Sequence, residues 1–250
     1  MSPLDAVLIL LSGVAAGAIN AVVGAGTLFT FSTLVLLGFP PLTANVSNTV
    51  GLVPGSVTSS IGYREELTGQ GARLRRLVPA SALGGLTGAL LLLALPSAAF
   101  DAIVPVLITL AVVLVILQPR LTRQLEREGA MERSPRLPLL AGVFGAGTYG
   151  GYFGAAQGVL LIGMLGTWLD HDLQRVNACK NVLATVVNAL AAVVFIAVAP
   201  VDWSIALLLI AGSTLGGWGG ARVGRRLPAD LLRAVIVVVG VVAVAVLLVG

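Results

Sequence analysis

Gly142–Gly158 reads GVFGAGTYGGYFGAAQG, seven glycines in seventeen residues and no charge. It lies inside a long apolar region and carries Thr148, Tyr149, Tyr152 and Gln157. Glycine costs a helix about 1 kcal/mol per residue relative to alanine, so a helix that only faced lipid would gain nothing from seven. Two physical uses remain. Small residues let helix backbones approach closely. They also let a helix break, and a membrane tolerates the freed N–H and C=O groups only where protein or a water-filled cavity covers them. A sparser twin, GVAAGAINAVVGAG, lies at Gly13–Gly26.

Working outward, the 250 residues are 57% hydrophobic and 10% charged, with a mean hydropathy of +1.01. Apolar runs near or above 18 residues recur, each long enough to cross a bilayer core of about 30 Å. The composition excludes a soluble domain and predicts an all-α polytopic membrane protein. The opening MSPLD has no basic residue before its apolar run and is not expected to be a cleaved signal peptide. The single cysteine, Cys179, excludes an intrachain disulfide. Net charge +4 and a pI near 10 do not point to nucleic acid, because membrane orientation accounts for the basic residues.

Ten segments are expected. The first half holds 4–23, 27–37, 42–63, 77–95 and 102–117; the second holds 137–153, 159–169, 176–199, 204–223 and 231–249. Segment two would rise only about 16 Å as a helix, too little to span, and segment seven is as short. The halves match: Gly24-Ala25 aligns with Gly154-Ala155, Asn48 with Asn181, and the glycine run from Gly84 with that from Gly216, at offsets of 130, 133 and 132. The organisation expected is a membrane repeat over 1–117, a cytoplasmic linker over 118–136 and a second membrane repeat over 137–250.

All fifteen Lys and Arg residues fall in 64–76, 120–136, 175–180 and 222–233. The positive-inside rule makes these regions cytoplasmic. The turn before segment three is then outside and its counterpart before segment eight inside, so the repeats are inverted and both termini lie outside. This requires segments one and two, and six and seven, to be out-and-back hairpins; otherwise Arg222–Arg226 would fall outside. Inverted repeats with broken helices are a transporter architecture, with the site near the midplane at the repeat interface.

Intramembrane ionisable residues mark function, and here they are scarce. All eleven acidic residues lie in loops or at segment ends, leaving no midplane carboxylate for a proton or sodium ion. His171 reads as a surface loop histidine. No metal-ligand cluster, membrane Ser–His pair or phosphate loop is present, so neither an enzyme nor a cofactor is expected. Lys180 lies about a turn inside segment eight, either snorkelling to the interface or serving as a cation at the site's inner mouth. Uncharged amides and hydroxyls bind oxyanions with the help of N–H groups at a helix start; they also serve plain interhelical bonding. The candidate substrate-binding set is Asn20, Gly24, Gly26, Thr27, Asn45, Asn48, Gly154, Gln157, Gly158, Lys180 and Asn181. Ser47, Asn177 and Asn188 are further polar candidates.

The chain resembles the sulfite exporter TauE/SafE family of bacterial membrane permeases. The likeness rests on Val23-Gly24-Ala25-Gly26-Thr27 and Tyr152-Phe153-Gly154-Ala155-Ala156-Gln157-Gly158, on Asn177-Ala178-Cys179-Lys180-Asn181, on Val201-Asp202-Trp203, and on Gly220-Ala221-Arg222 before Arg225-Arg226-Leu227-Pro228. It covers nearly the whole chain, through the order and spacing of short motifs. The family's first glycine motif is often a denser triplet followed by proline; here Ala25 interrupts it and no proline follows before Pro40. The resemblance implies a plasma-membrane permease exporting sulfite, an organosulfonate or a related small anion. The partners expected are that solute and the bilayer, with a homo-oligomer compatible. A non-transporting membrane scaffold and an importer of a small solute are the alternatives.

Overall fold

The computed structural model describes residues 1–128, 136–168, 172–223 and 229–249. Asp170 and His171, residues 129–135 of the expected linker, and Arg225–Pro228 lie outside the described residues. Among the described residues ten helices follow in order: α1 Pro3–Val22, α2 Gly26–Leu36, α3 Pro41–Gly62, α4 Gly71–Ala94, α5 Ser97–Glu128, α6 Arg136–Tyr152, α7 Gln157–Trp168, α8 Leu173–Val198, α9 Trp203–Val223 and α10 Ala229–Val249. Five of them, α1, α4, α5, α8 and α9, contain windows long and apolar enough to cross a membrane. No strand occurs among the described residues.

Local chemistry fixes the starts. Ser2 and Asp5 form a capping box on α1, with Pro3 at its first turn. Asp172 accepts from the Gln174 and Arg175 N–H groups at the start of α8, and Asp202 accepts from Ser204 and Ile205 at the start of α9. The breaks are closed in the same way 130 residues apart. Gly24 (φ +79°) and Gly154 (φ +76°) occupy the left-handed region. Each donates its N–H five residues back, to Ile19 O at 3.0 Å and Tyr149 O at 3.1 Å. Glycine enters that region without a Cβ penalty, so it ends both helices.

Two elements differ from expectation. Helix α3 is 22 residues long but does not qualify as an apolar span. It turns Asn45, Ser47, Asn48, Thr49, Ser56 and Ser59 into the protein interior, where neighbouring helices replace water. Helix α5 runs past Leu117 to Glu128. The polar stretch after Leu117 reads as a linker, yet RLTRQLERE after Pro119 consists mostly of good helix formers, and a proline is tolerated where neighbours satisfy the freed carbonyl. Gln118, read as the first linker residue, is instead buried and donates from Nε2 to Val23 O at 3.3 Å.

Packing is reciprocal. Helix α1 packs on α9 and α6 on α4; α3 packs on α9 and α8 on α4; α2 packs on α10 and α7 on α5; α3 meets α8, and α5 meets α10. Small residues set the α1–α9 and α4–α6 distances. A Cβ on Gly17 would lie 2.6 Å from the Gly217 nitrogen, and one on Gly88 would lie 2.7 Å from the Tyr152 nitrogen. Backbones this close gain dispersion contacts, the main attraction left between helices in lipid. Above the second break, Phe153 stacks edge-on to Phe31 at 4.9 Å, with Phe100 behind it.

Candidate functional site

Breaking α1 and α6 frees backbone carbonyls that must be satisfied. Side chains from the opposite half satisfy them. Asn177 Nδ2 donates to Ala21 O at 2.8 Å and Asn181 Nδ2 to the same oxygen at 3.4 Å. Lys180 Nζ donates to Asn20 O at 2.8 Å. In the other direction, Asn45 Nδ2 donates to Tyr152 O at 3.0 Å. Within its own break, Tyr149 OH donates to Ala155 O at 2.6 Å.

The two breaks touch. Gly158 N–H donates to Gly24 O at 3.1 Å. A Cβ on Gly24 would sit 2.6 Å from Gly158 Cα, so only glycine allows this contact. Beside it lies a cavity of about 20 Å³, room for about one ordered water.

Eight of the eleven sequence candidates line this cavity: Asn20, Gly24, Thr27, Gly154, Gln157, Gly158, Lys180 and Asn181. Lys180 is 1% exposed and hydrogen-bonded inside the protein, not extended to an interface. The other three stand behind the wall. Gly26 N–H donates to Asn20 Oδ1 at 2.7 Å and holds that side chain. Asn48 Oδ1 accepts from Thr30 Oγ1 at 2.6 Å, and its Nδ2 donates to Thr27 O at 3.4 Å. Asn45 caps Tyr152 O.

The remaining lining comes from Ser56, Ser59, Ala184 and Asn188, with Asn188 Nδ2 3.4 Å from Ser56 Oγ. Asn188 is among the further polar candidates of the sequence; Ser56, Ser59 and Ala184 are lining residues that residue type alone does not single out. A signal existed: Asn181, Ala184 and Asn188 recur at three- and four-residue steps on one face of α8, and Ser56 and Ser59 do so on α3.

Helix starts and hydrogen-bond donors converge on the cavity. The N-terminal ends of α2 and α7 both open at the cavity, through Thr27 and through Gln157 and Gly158. A helix start carries about half a positive charge. Lys180 adds a basic side chain with its Nζ donor inside the protein, and no carboxylate lines the cavity among the described residues. Gln157 Nε2 is buried with no hydrogen-bond partner among the described residues, a donor left for something in the cavity. Its amide lies against Gly150, where any Cβ would collide with it. The described residues contain no group of His, Cys, Asp and Glu suited to a metal ion, and the arrangement offers donors to bind a solute rather than a nucleophile and base.

Comparison with known proteins agrees with this class. The "Probable membrane transporter protein YfcA" of Escherichia coli strain K12 is 26% identical over 242 residues, spanning 97% of this chain and 89% of that protein. A "Probable membrane transporter protein" of Haemophilus influenzae is 25% identical over 232 residues, 90% of this chain and 88% of its own length. A "Probable membrane transporter protein ORF9" of Sinorhizobium sp. is 26% identical over 235 residues, 90% of this chain and 85% of its own length. No solved structure gives a significant match. The family description "Sulfite exporter TauE/SafE" matches residues 9–247, and with nearly the whole chain covered this multi-pass membrane protein belongs to the sulfite exporter TauE/SafE family of membrane transporters.

Proposed function

We propose that the protein is a secondary transporter of the bacterial plasma membrane that exports a small anion, sulfite, an organosulfonate or a related organic anion. Access alternates at the interface of two inverted repeats, with the basic regions cytoplasmic and both termini outside. The observation that carries the reading is the cavity between the two helix breaks: Lys180, two helix starts and the unpartnered Gln157 amide converge there without a carboxylate. Matching glycine-capped breaks 130 residues apart, and a packing pattern that repeats when the halves are exchanged, support the duplication. No carboxylate lines the cavity among the described residues, so the usual proton or sodium ligand is missing there. A monovalent anion leaving a negative interior gains about 2.3 kcal/mol per 100 mV, so export needs no coupling ion. Room for about one water makes this conformation a closed one, and the breaks must part to admit the solute.

The test is flux from proteoliposomes loaded with sulfite, sulfoacetate, taurine or simple carboxylates, driven by a potential positive on the far side. Potential-dependent efflux of one anion group, lost in Gln157→Ala at normal folded yield, is the expected result. Absence of flux for every anion, with no thermal stabilisation of the purified protein by any of them, would refute it. A ligand at one hundred times its Kd stabilises by about 2.7 kcal/mol, which a melt reads easily.

A further inference from the structure

A second cavity, of about 560 Å³, lies where the C-terminal ends of α3 and α9 meet. Arg64, Arg222, Glu65, Trp218, Ile61 and Thr58 line it. We infer that this groove is a binding site for the headgroup of an anionic phospholipid.

The groove is separate from the transport cavity. A helix turns about 100° per residue. On α3, Ser56 and Ser59 face the transport cavity, whereas Thr58 and Ile61 face the groove. The two pairs are centred about 160° apart around the helix axis. The groove therefore opens on the outer surface of the protein, at the end of two helices.

Its chemistry has the two parts a phospholipid needs. Arg222 stacks its guanidinium 4.1 Å from the centre of the Trp218 ring, which fixes the fork and leaves its N–H edge free to meet a phosphate. Arg64 lines the same groove. Two arginines against one glutamate leave a net positive lining, and Arg–phosphate pairs are charge-assisted and often bidentate. Trp218 and Ile61, each 56% exposed, supply the apolar wall along which an acyl chain runs. Tryptophan belongs at this depth, where an amphipathic ring meets the headgroups, and basic pockets between helix ends recognise anionic headgroups. Glu65 disfavours a free multivalent phosphate and accepts from the hydroxyls of a glycerol headgroup. The volume suits a headgroup and exceeds what a lone phosphate fills.

The test compares detergent-purified full-length protein with added phosphatidylglycerol, phosphatidylcholine of the same acyl chains, or inorganic phosphate. Lipid retention is read by native mass spectrometry and stability by melting. Phosphatidylglycerol is expected to be retained and to raise the Tm, phosphatidylcholine and phosphate to do neither. The Arg64→Gln/Arg222→Gln variant is expected to bind phosphatidylglycerol about tenfold more weakly, the loss of one charge-assisted contact or more. Should that variant not fold, Arg222→Gln alone serves, since its side chain is exposed. Equal retention of both lipids, an equal effect of phosphate, or undiminished phosphatidylglycerol binding by a folded arginine variant would each overturn the proposal. None of these outcomes bears on anion flux, so the two readings fail separately.

Discussion

Replacing Gly158 by alanine tests the contact between the breaks. The new Cβ would lie 2.5 Å from Gly24 Cα, 2.8 Å from Gly24 O and 3.0 Å from Lys180 Cδ. Carbon atoms rest at about 3.5–4.0 Å, so the breaks must separate by about 1 Å. The 3.1 Å bond from Gly158 N to Gly24 O would then stretch beyond useful range. Overpacking costs about 1–3 kcal/mol and the lost bond about 1. Alanine returns up to about 1 kcal/mol, because Gly158 is in helix α7. The net expected loss is about 1–3 kcal/mol, by the same estimates.

Two companion variants separate crowding from backbone strain. Gly38 (φ +84°) has open space around its Cβ direction, so Gly38→Ala shows only the left-handed penalty, about 1–2 kcal/mol. Gly24→Ala incurs both, about 2–5 kcal/mol. The assay is equilibrium unfolding in mixed SDS micelles, with flux measured in parallel; Gly158→Ala and Gly24→Ala are expected to lose most flux, and Gly38→Ala to keep it. A Gly158→Ala protein as stable and active as the parent, or a Gly24→Ala no worse than Gly38→Ala, would refute the contact.

The other expected outcomes concern the cavity wall. Gly150→Ala should reproduce the flux loss of Gln157→Ala, because its Cβ displaces the Gln157 amide; normal flux in both would remove Gln157 from the site. Asn48→Ala should lower stability by about 1–2 kcal/mol, since it removes the bond from Thr30 Oγ1 and the donor to Thr27 O, while the Thr30 hydroxyl keeps the Gly26 and Thr27 carbonyls as acceptors; a melt unchanged from the parent would show that these bonds carry nothing. Lys180→Met removes the cavity's only basic side chain among the described residues and the donor to Asn20 O, so flux should fall at least tenfold, while Lys180→Arg should retain part of it. Equal flux in parent and Lys180→Met would show that Lys180 does not hold the solute.

Much of the helix plan was legible because glycine and charge punctuate the chain. Gly24 and Gly154 mark breaks that only a residue without Cβ closes in this way, and close neighbours account for Gly147, Gly150, Gly151 and Gly158, whereas Gly145 has open space around its Cβ direction. The end of α5 was not legible: the polar composition after Leu117 reads locally as a linker, while Gln118 bonds to Val23 O, ninety-five residues away in sequence. At the site, amides stood out by type, but type does not separate a cavity-lining Asn181 from Asn45, which caps a carbonyl. Ser56 and Ser59 were hidden because serine is unremarkable in a membrane helix until its face is known.

The reciprocal packing limits how the molecule can open. The first helix of each half is clamped to the fourth helix of the other, α1 on α9 and α6 on α4, through glycine surfaces that fit at no other spacing. The halves are interlocked, and pulling one from the other would tear both clamps at once. Under the alternation of access proposed above, the bodies that move would be of mixed parentage, α1 and α9 in one and α4 and α6 in the other, with α3 and α8 in contact between them. Neither half on its own has a partner for its glycine faces, so the first half must wait in the membrane for the second before either reaches its final packing.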